Sequence, residues 1–457
     1  MKSICIVAPL MLALSIACSA QAVPPSALIA QPAQSALNVG PGPVEIGTAG
    51  VPISVDDAVA DALQSNPEIR AAVRRLTLAQ LKTTTARSLD DPMLMVRDWG
   101  TPLREPWDLN QAQIMLSLQQ TFIGKQKRDL RAQVAGDDAA VAASELESMR
   151  QEVAVEVRKD CADLVRNADE MKLHDRQASL LKEALAAMLA EYTTGKVSQP
   201  DVLRAQMAVT RLNEHLIELQ QERDTARAQL NALRGRRADD TVEIAGGYSS
   251  PSTLPSLEDL ERTAIENRPE LSALRKQILK SKDQGQLTRL AMKPDFTVGL
   301  GYMLMPAGSA FRNAYMAELT MNLPSLNRER HDGEAKQADA ATDVSQAELE
   351  ARTSIVFVEI RQAQIDVLAS QQRVKLYRDT LLPQADATFK ASAAAYQNNR
   401  GEFANLIDSQ NLLLDIQTAY FKASAATDVG IAELERAIGA PLTNATKANS
   451  DNERISR

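Results

Sequence analysis

Two distant stretches of this chain carry the same phrase. Residues 63–76 read LQSNPEIRAAVRRL, and residues 265–278 read IENRPELSALRKQI. Pro67 and Pro269 are 202 positions apart (269 − 67 = 202), and the residues that follow them match at the same shift. A match of this kind predicts that one structural unit occurs twice in the chain.

The repeat extends far beyond this phrase. Pro92 and Pro294 share the shift of 202, and Gly235 and Gly439 are 204 apart (439 − 235 = 204). A solenoid repeat has a period of about 20–50 residues, which is much shorter. The chain is therefore predicted to be a duplicated domain. The predicted organisation is an export signal at 1–22, an extended segment at 23–52, a first repeat at 53–250, a second repeat at 251–440 and a polar tail at 441–457.

Each repeat is predicted to contain a long antiparallel helical hairpin, at about 125–235 and 329–438. No proline occurs between Pro106 and Pro200, and a short turn, TTGK, follows Tyr192. The returning helix has the spacing of a coiled-coil heptad. Pro383 is expected to kink or interrupt the outgoing helix of the second repeat. The heptad seam consists of Val202, Ala205, Val209, Leu212, Leu216, Leu219, Ala226, Leu230 and Leu233.

Each repeat also contains two predicted strands, in which apolar and polar residues alternate. The predicted strands lie at about 92–99, 111–122, 294–305 and 313–323. A membrane-spanning strand needs about 9–11 residues. Because an open sheet edge is not tolerated in hydrocarbon, four membrane strands would require several copies of the chain to close a barrel. Two, three or four copies would all give an even number of strands.

A second interpretation fits the same alternation. Any antiparallel strand with one face on a core and one in water alternates in this way. A soluble periplasmic coiled-coil protein with a small sheet, such as an adaptor or a structural protein, is therefore the alternative at this point.

The N-terminus has the pattern of an export signal. Lys2 precedes an apolar run over residues 4–17, and residues 20–22 read AQA, a small-residue cleavage site. The run is shorter than the ~20 residues of a membrane-spanning helix. Cys18 offers a competing site, at which cleavage would precede a lipidated cysteine. Either processing route takes the protein out of the cytoplasm.

The composition and the motifs argue against several other functions. A formal net charge of −8 gives no basic surface for nucleic acid. His174, His215 and His331 fall in different predicted segments without the spacing of a zinc site. No nucleophile motif or phosphate-binding loop is present. We predict that the chain is not an enzyme and has no cofactor or metal site.

Several motifs together resemble the TolC family of outer-membrane efflux channels over residues 53–440. The heavy-metal efflux branch is the most similar, through PDFTVGLGYM at 294–303 and NLPSLNRER at 322–330. The other motifs are NPEI at 66–69, RPEL at 268–271, YTTGKVSQPDVLRAQ at 192–206, LNALRGR at 230–236, PQADATFKASAAAYQNNRG at 383–401 and NLIDSQNLLL at 405–414.

This resemblance implies an α+β chain with two long antiparallel α-helical hairpins and four transmembrane β-strands per protomer. It implies a homotrimer with a 12-stranded β-barrel (three copies of four strands) and a periplasmic α-helical barrel. The location would be the outer membrane of a Gram-negative bacterium. The function would be a passive exit duct for substrates, including heavy-metal cations, that an inner-membrane pump and a periplasmic adaptor deliver. Outer-membrane lipid would surround the strands.

The resemblance also indicates a gate at the periplasmic end of the hairpins. In the family, acidic residues on the inner helix after the second turn narrow this end. Asp408 matches such a position, whereas Asn405 stands where a second Asp often occurs, which halves the expected negative charge. Asp201 and Arg400 are candidates for interactions that link the hairpins. The alternative is that all three charged residues are solvated turn residues.

Overall fold

The computed structural model describes residues 52–99, 113–246, 254–306, 308–310, 313–398 and 400–442. The predicted export signal, Cys18 and the tail beyond residue 442 lie outside the described residues.

The two halves of the chain have the same order of elements. The 69 residues of α3 give it a length of roughly 100 Å. The first half contains α1 Val55–Ser65, α2 Pro67–Arg87, β1 Met93–Trp99, β2 Gln113–Phe122, α3 Lys125–Thr193 and α4 Gln199–Leu233. The second half contains α5 Leu257–Asn267, α6 Pro269–Leu290, β3 Phe296–Leu304, β4 Asn313–Met321, a 3₁₀ turn at Pro324–Leu326, α7 Arg328–Leu376, a π-helical segment at Tyr377–Leu381, α8 Leu382–Gln397 and α9 Phe403–Ile438.

The repeated phrase begins a helix in both halves. Asn66 is the N-cap of α2, and its side-chain oxygen accepts hydrogen bonds from the backbone N–H groups of Glu68 and Ile69. Pro67 and Pro269 occupy the first turns of α2 and α6, where an N–H group would have no helical partner. Arg268 takes the place of the Asn66 cap in the second half.

The end of each hairpin packs against this helix start. Asn66 donates a side-chain hydrogen bond to the carbonyl of Leu233 at 2.9 Å, and Arg268 donates one to the carbonyl of Ala437 at 3.2 Å. Leu233 and Ala437 are 204 positions apart (437 − 233 = 204), so the same contact is made twice. We call each arrangement a corner: the α1–α2 junction with the end of α4, and the α5–α6 junction with the end of α9.

The four strands form one antiparallel sheet in the order β1-β2-β3-β4. The pairing of β2 with β3 joins the two halves of the chain. The third strand begins at Phe296, two residues later than predicted, because the Asp295 backbone N–H donates to the Asn322 side chain and the Asp295 carboxylate pairs with Lys127.

The helical hairpins pack along the predicted seam. Pro383 also has its predicted effect, because α7 ends at Leu376 and a π-helical segment separates it from α8. The backbone stays helical through this segment, and Pro383, which has no N–H group to donate, lies just after it. Among the described residues, no helix is both long enough and apolar enough to cross a membrane. The buried members of the seam are Val202, Ala205, Leu212, Leu219 and Leu230.

Candidate gate at the hairpin turns

The turns of the two hairpins lie at the same end of the helices. A small apolar cluster joins Met188, Val202 and Ala205 of the first hairpin to Phe403 of the second. The rings of Tyr396 and Phe403 pack at a centroid distance of 5.6 Å. This apolar packing holds the turns side by side, so the charged residues next to them share one end of the molecule.

Each turn is closed by the same backbone hydrogen bond. The N–H of Lys196 donates to the carbonyl of Glu191 at 3.1 Å, and the N–H of Arg400 donates to that of Ala395 at 2.9 Å. Gly195 provides the left-handed conformation of the first turn, with φ of +74°. Lys196 and Arg400 are 204 positions apart (400 − 196 = 204), and both are exposed. Each turn therefore presents one basic residue to solvent.

The Asp201 carboxylate interacts with residues at the start of its own helix. Ser198 is the N-cap of α4, and its hydroxyl donates to the Asp201 carboxylate at 2.6 Å. Arg204 lies 3.7 Å from the same carboxylate. Within the part of the chain that the structure describes, Asp201 and Arg400 form no ion pair with each other. Ser198 and Arg204 instead supply the immediate partners of Asp201.

Asp408 is exposed on α9, one and a half turns after the helix begins. Asn405 is exposed one turn before it. Asp408 is the equivalent of Arg204 in the first repeat (408 − 204 = 204). The two hairpins therefore carry opposite charges at this position, and the acidic one is on the second hairpin.

Sequence reasoning missed one member of this region, Tyr396. Burial raises the pKa of the Tyr396 phenol, and the carboxylates of Glu191 and Asp201 raise that pKa further. The phenol therefore stays protonated at neutral pH, next to carboxylates of the first hairpin. The match of Tyr192 with Tyr396 between the repeats was the available signal (396 − 192 = 204), but it does not reveal which acidic residues lie nearby.

A family model for outer membrane efflux proteins matches residues 58–236 and 260–440. The chain belongs to this family. The outer membrane efflux protein is similar to the cobalt-zinc-cadmium resistance protein CzcC of Cupriavidus metallidurans, with 22% identity over 407 residues, 89% of this chain and 95% of CzcC.

Solved outer-membrane channels share its fold. The CmeC channel of Campylobacter jejuni superposes with a TM-score of 0.71 at 12% identity, over 87% of this chain and 89% of CmeC. The open state of the MtrE channel of Neisseria gonorrhoeae gives 0.69 at 13% identity, over 85% of this chain and 89% of MtrE.

These comparisons confirm the predicted family and the outer-membrane location. They favour the channel over the soluble coiled-coil alternative, because the family match covers both halves of the chain. The family is one of efflux proteins, whose activity is transport.

Proposed function

We propose that this outer membrane efflux protein is the exit duct of a tripartite efflux system. Three copies would assemble so that each contributes four strands to one β-barrel and two hairpins to one periplasmic tube. The observation that carries the proposal is the sheet, which has an apolar face exposed to the surroundings and two open edges.

The exposed face of the sheet is mostly apolar. Leu94, Leu300 and Leu319, on three different strands, are 70%, 66% and 70% exposed. The opposite face carries Ser117 and Gln119, which face glycines of β3, and Gln119 donates to Glu318 across the sheet. An apolar face of this extent in a soluble chain would promote aggregation, whereas hydrocarbon is its natural surroundings.

The edges of the sheet fit a ring of copies. β1 and β4 are each paired on one side only within the described residues. The strands alternate in direction and are even in number, so β4 of one copy and β1 of the next run antiparallel. Pairing these edges would close the barrel without changing its hydrogen-bond pattern and would leave no backbone group unpaired in lipid.

We predict that a charge on the apolar face blocks insertion. Leu300→Arg places a guanidinium where lipid would lie, at a cost of about 2–4 kcal/mol per copy near the bilayer midplane. Three copies multiply this cost, so the variant should be lost from the outer-membrane fraction. The measurement is membrane fractionation with immunodetection.

Thr297→Arg, on the same strand but on the opposite face, is the matched control and should fractionate like the wild type. Equal recovery of Leu300→Arg and the wild type would contradict a lipid-facing position for Leu300.

The hairpin turns would form the periplasmic gate of this duct. Three copies would place three Asp408 carboxylates at the constriction, and a ring of carboxylates attracts cations. Lys196 and Arg400, exposed at the two turns, would make the linking contacts between neighbouring hairpins. The periplasmic adaptor would dock at the same end, and the inner-membrane pump would supply the substrate.

We propose heavy-metal cations as the exported substrate. The similarity to a cobalt-zinc-cadmium resistance protein over 89% of the chain supports this class, and so does the acidic position at Asp408. In its own bacterium, with the chromosomal gene deleted, the wild-type chain should restore tolerance to zinc, cobalt or cadmium salts.

Asp408→Ala should restore less tolerance, because the cation would meet a less negative constriction, while the amount of protein in the membrane should be unchanged. Growth at graded metal concentrations measures both effects. Full tolerance with Asp408→Ala would contradict the gate, and no tolerance with the wild type would contradict the substrate class.

A further inference from the structure

His174 of α3 and His215 of α4 meet across the first hairpin, although they are 41 positions apart (215 − 174 = 41). Their ring centroids are 5.7 Å apart. The midpoint of the two positions, 194.5, lies in the turn between α3 and α4, and an antiparallel hairpin pairs residues that are equidistant from its turn. Both rings line a cavity of about 590 Å³ to which α9 also contributes, through Asp415.

The hydrogen bonds of the two imidazole rings leave nitrogens for a cation to bind. Nδ1 of His215 lies 3.1 Å from the Glu218 carboxylate. A carboxylate only accepts, so Nδ1 is the nitrogen that donates; in the neutral ring this leaves Nε2 to bind a cation, as in carboxylate-oriented metal ligands. His174 is only 6% exposed, and its Nδ1 has no hydrogen-bond partner among the residues that the structure describes.

The Nδ1 of His174, which is unpaired within the described part of the chain, is a second reason to expect a ligand here. A buried polar nitrogen without a partner is costly, because it has lost its hydrogen bonds to water. A cation that accepts its lone pair would remove that cost.

The cavity as a whole favours a cation. Arg166 is already neutralised by Glu170 and Glu222, each at 3.2 Å. The acidic side chains of the cavity outnumber the basic ones by five to two, which leaves a net charge of −3 when both histidines are neutral. The acidic lining residues are Asp163, Glu170, Glu218, Glu222 and Asp415, and the basic ones are Arg166 and Lys422.

We propose that His174 and His215 form a binding site for a divalent transition-metal cation such as Zn²⁺ or Co²⁺. Imidazole nitrogens suit these ions, whereas Mg²⁺ and Ca²⁺ prefer oxygen ligands alone. Two histidines and one carboxylate are a recurrent zinc ligand set. The inference goes beyond the exit-duct function, because metal binding by the purified chain needs neither pump nor adaptor.

The third ligand has to come from a movement of side chains. Among the described residues, no group of three or more His, Cys, Asp and Glu side chains is arranged to hold a metal ion. Glu170 lies one helical turn before His174, so a change of its rotamer would bring a carboxylate toward the pair. Because only two ligands are in place beforehand, we expect weak and exchangeable binding.

The test is calorimetric titration of Zn²⁺ into the full chain, purified in detergent without a histidine tag. The chain has three histidines. We expect one Zn²⁺ per protomer, and a loss of affinity of at least tenfold in His215→Ala and in His174→Gln. The side chain of His215 is 55% exposed, so His215→Ala keeps the fold even if the buried His174→Gln does not. Glu218→Gln should lose about tenfold through the orientation of His215.

His331→Ala is the matched control. His331 has the same relation to a carboxylate, with Nδ1 3.0 Å from Glu334 three residues later, but no second histidine beside it. We expect this variant to bind Zn²⁺ like the wild type. The proposal is overturned if His215→Ala binds Zn²⁺ as tightly as the wild type, or if His331→Ala is weakened to the same degree. Membrane-inserted wild-type protein that binds no Zn²⁺ overturns this site and leaves the exit duct standing.

Discussion

Gly439→Ala is expected to lower the free energy of unfolding by roughly 2–5 kcal/mol, the sum of left-handed backbone strain and overpacking. Gly439 ends α9 with φ of +73°. A Cβ atom at this position would lie 2.8 Å from the Asn267 carbonyl oxygen and 2.8 Å from Arg268 Cα. Both obstacles are backbone atoms of the α5–α6 junction, which cannot move aside as a side chain would. The end of α9 would therefore have to move away from the α5–α6 junction.

The duplication supplies an internal replicate and a control. Gly235→Ala should behave similarly, because its Cβ would lie 2.5 Å from the Ser65 carbonyl oxygen in the first corner. Gly195→Ala shares the left-handed conformation, with φ of +74°, but no described residue beyond its two chain neighbours would lie within 4 Å of the new Cβ. It should therefore show only the backbone strain, about 1–2 kcal/mol. The measurement is denaturant unfolding in detergent, and equal losses for Gly439→Ala and Gly195→Ala would contradict close packing at the corner.

Arg268→Ala is expected to lower the free energy of unfolding by about 3–5 kcal/mol, the usual cost of removing one partner of a buried ion pair. Arg268 is 2% exposed, pairs with Glu359 and lies 3.2 Å from Glu270. Its guanidinium also donates to the carbonyl of Ala437 at the end of α9. The substitution would therefore remove the charge that joins α6, α7 and α9.

A double-mutant cycle distinguishes pairing from simple packing. Glu359→Ala in the Arg268→Ala background should cost less than in the wild type, since the carboxylate has already lost a partner. Asn66→Ala is the matched change in the first corner, where an uncharged cap is lost, and should cost only about 0.5–2 kcal/mol. Additive effects of Arg268→Ala and Glu359→Ala would contradict the ion pair.

The same cluster gives the second corner a dependence on pH. Burial acts to raise the pKa of Glu270, but the hydrogen bond from Arg352 and the charges of Arg268 and Arg352 outweigh it, so the pKa lies below its usual value. A carboxyl group with a lowered pKa stabilises the fold above its unfolded pKa of about 4.3 and loses that contribution as pH falls through the folded pKa. The corner should therefore be intact at neutral pH and weaken only in acid.

The local features of the fold were predictable because their causes are local. The turn of the first hairpin is short and contains a glycine, Gly195, between two helical patterns. The heptad seam needs only the spacing of apolar residues along one helix. The alternation in the strands likewise depends on neighbours two residues away. The duplication made each of these patterns visible twice.

The features that were missed depend on contacts between distant segments. Arg268 precedes a proline, and nothing near it indicates Glu359, which is 91 positions further along the chain (359 − 268 = 91). His174 and His215 were assigned to different segments, and only their equal distance from the turn predicts that they meet. Ser198 and Asp201 have the spacing of a helix cap, which explains why Asp201 is engaged locally.

The central claim is that three copies of this chain close one barrel in a membrane. The most direct measurement is the native mass of the protein after extraction from the outer membrane in detergent. The account predicts an assembly of three chains, and the same spectrum would show whether Cys18 is retained with a lipid. Recovery as a monomer or dimer without detergent would contradict the account, because a four-stranded sheet with open edges cannot cross a membrane alone.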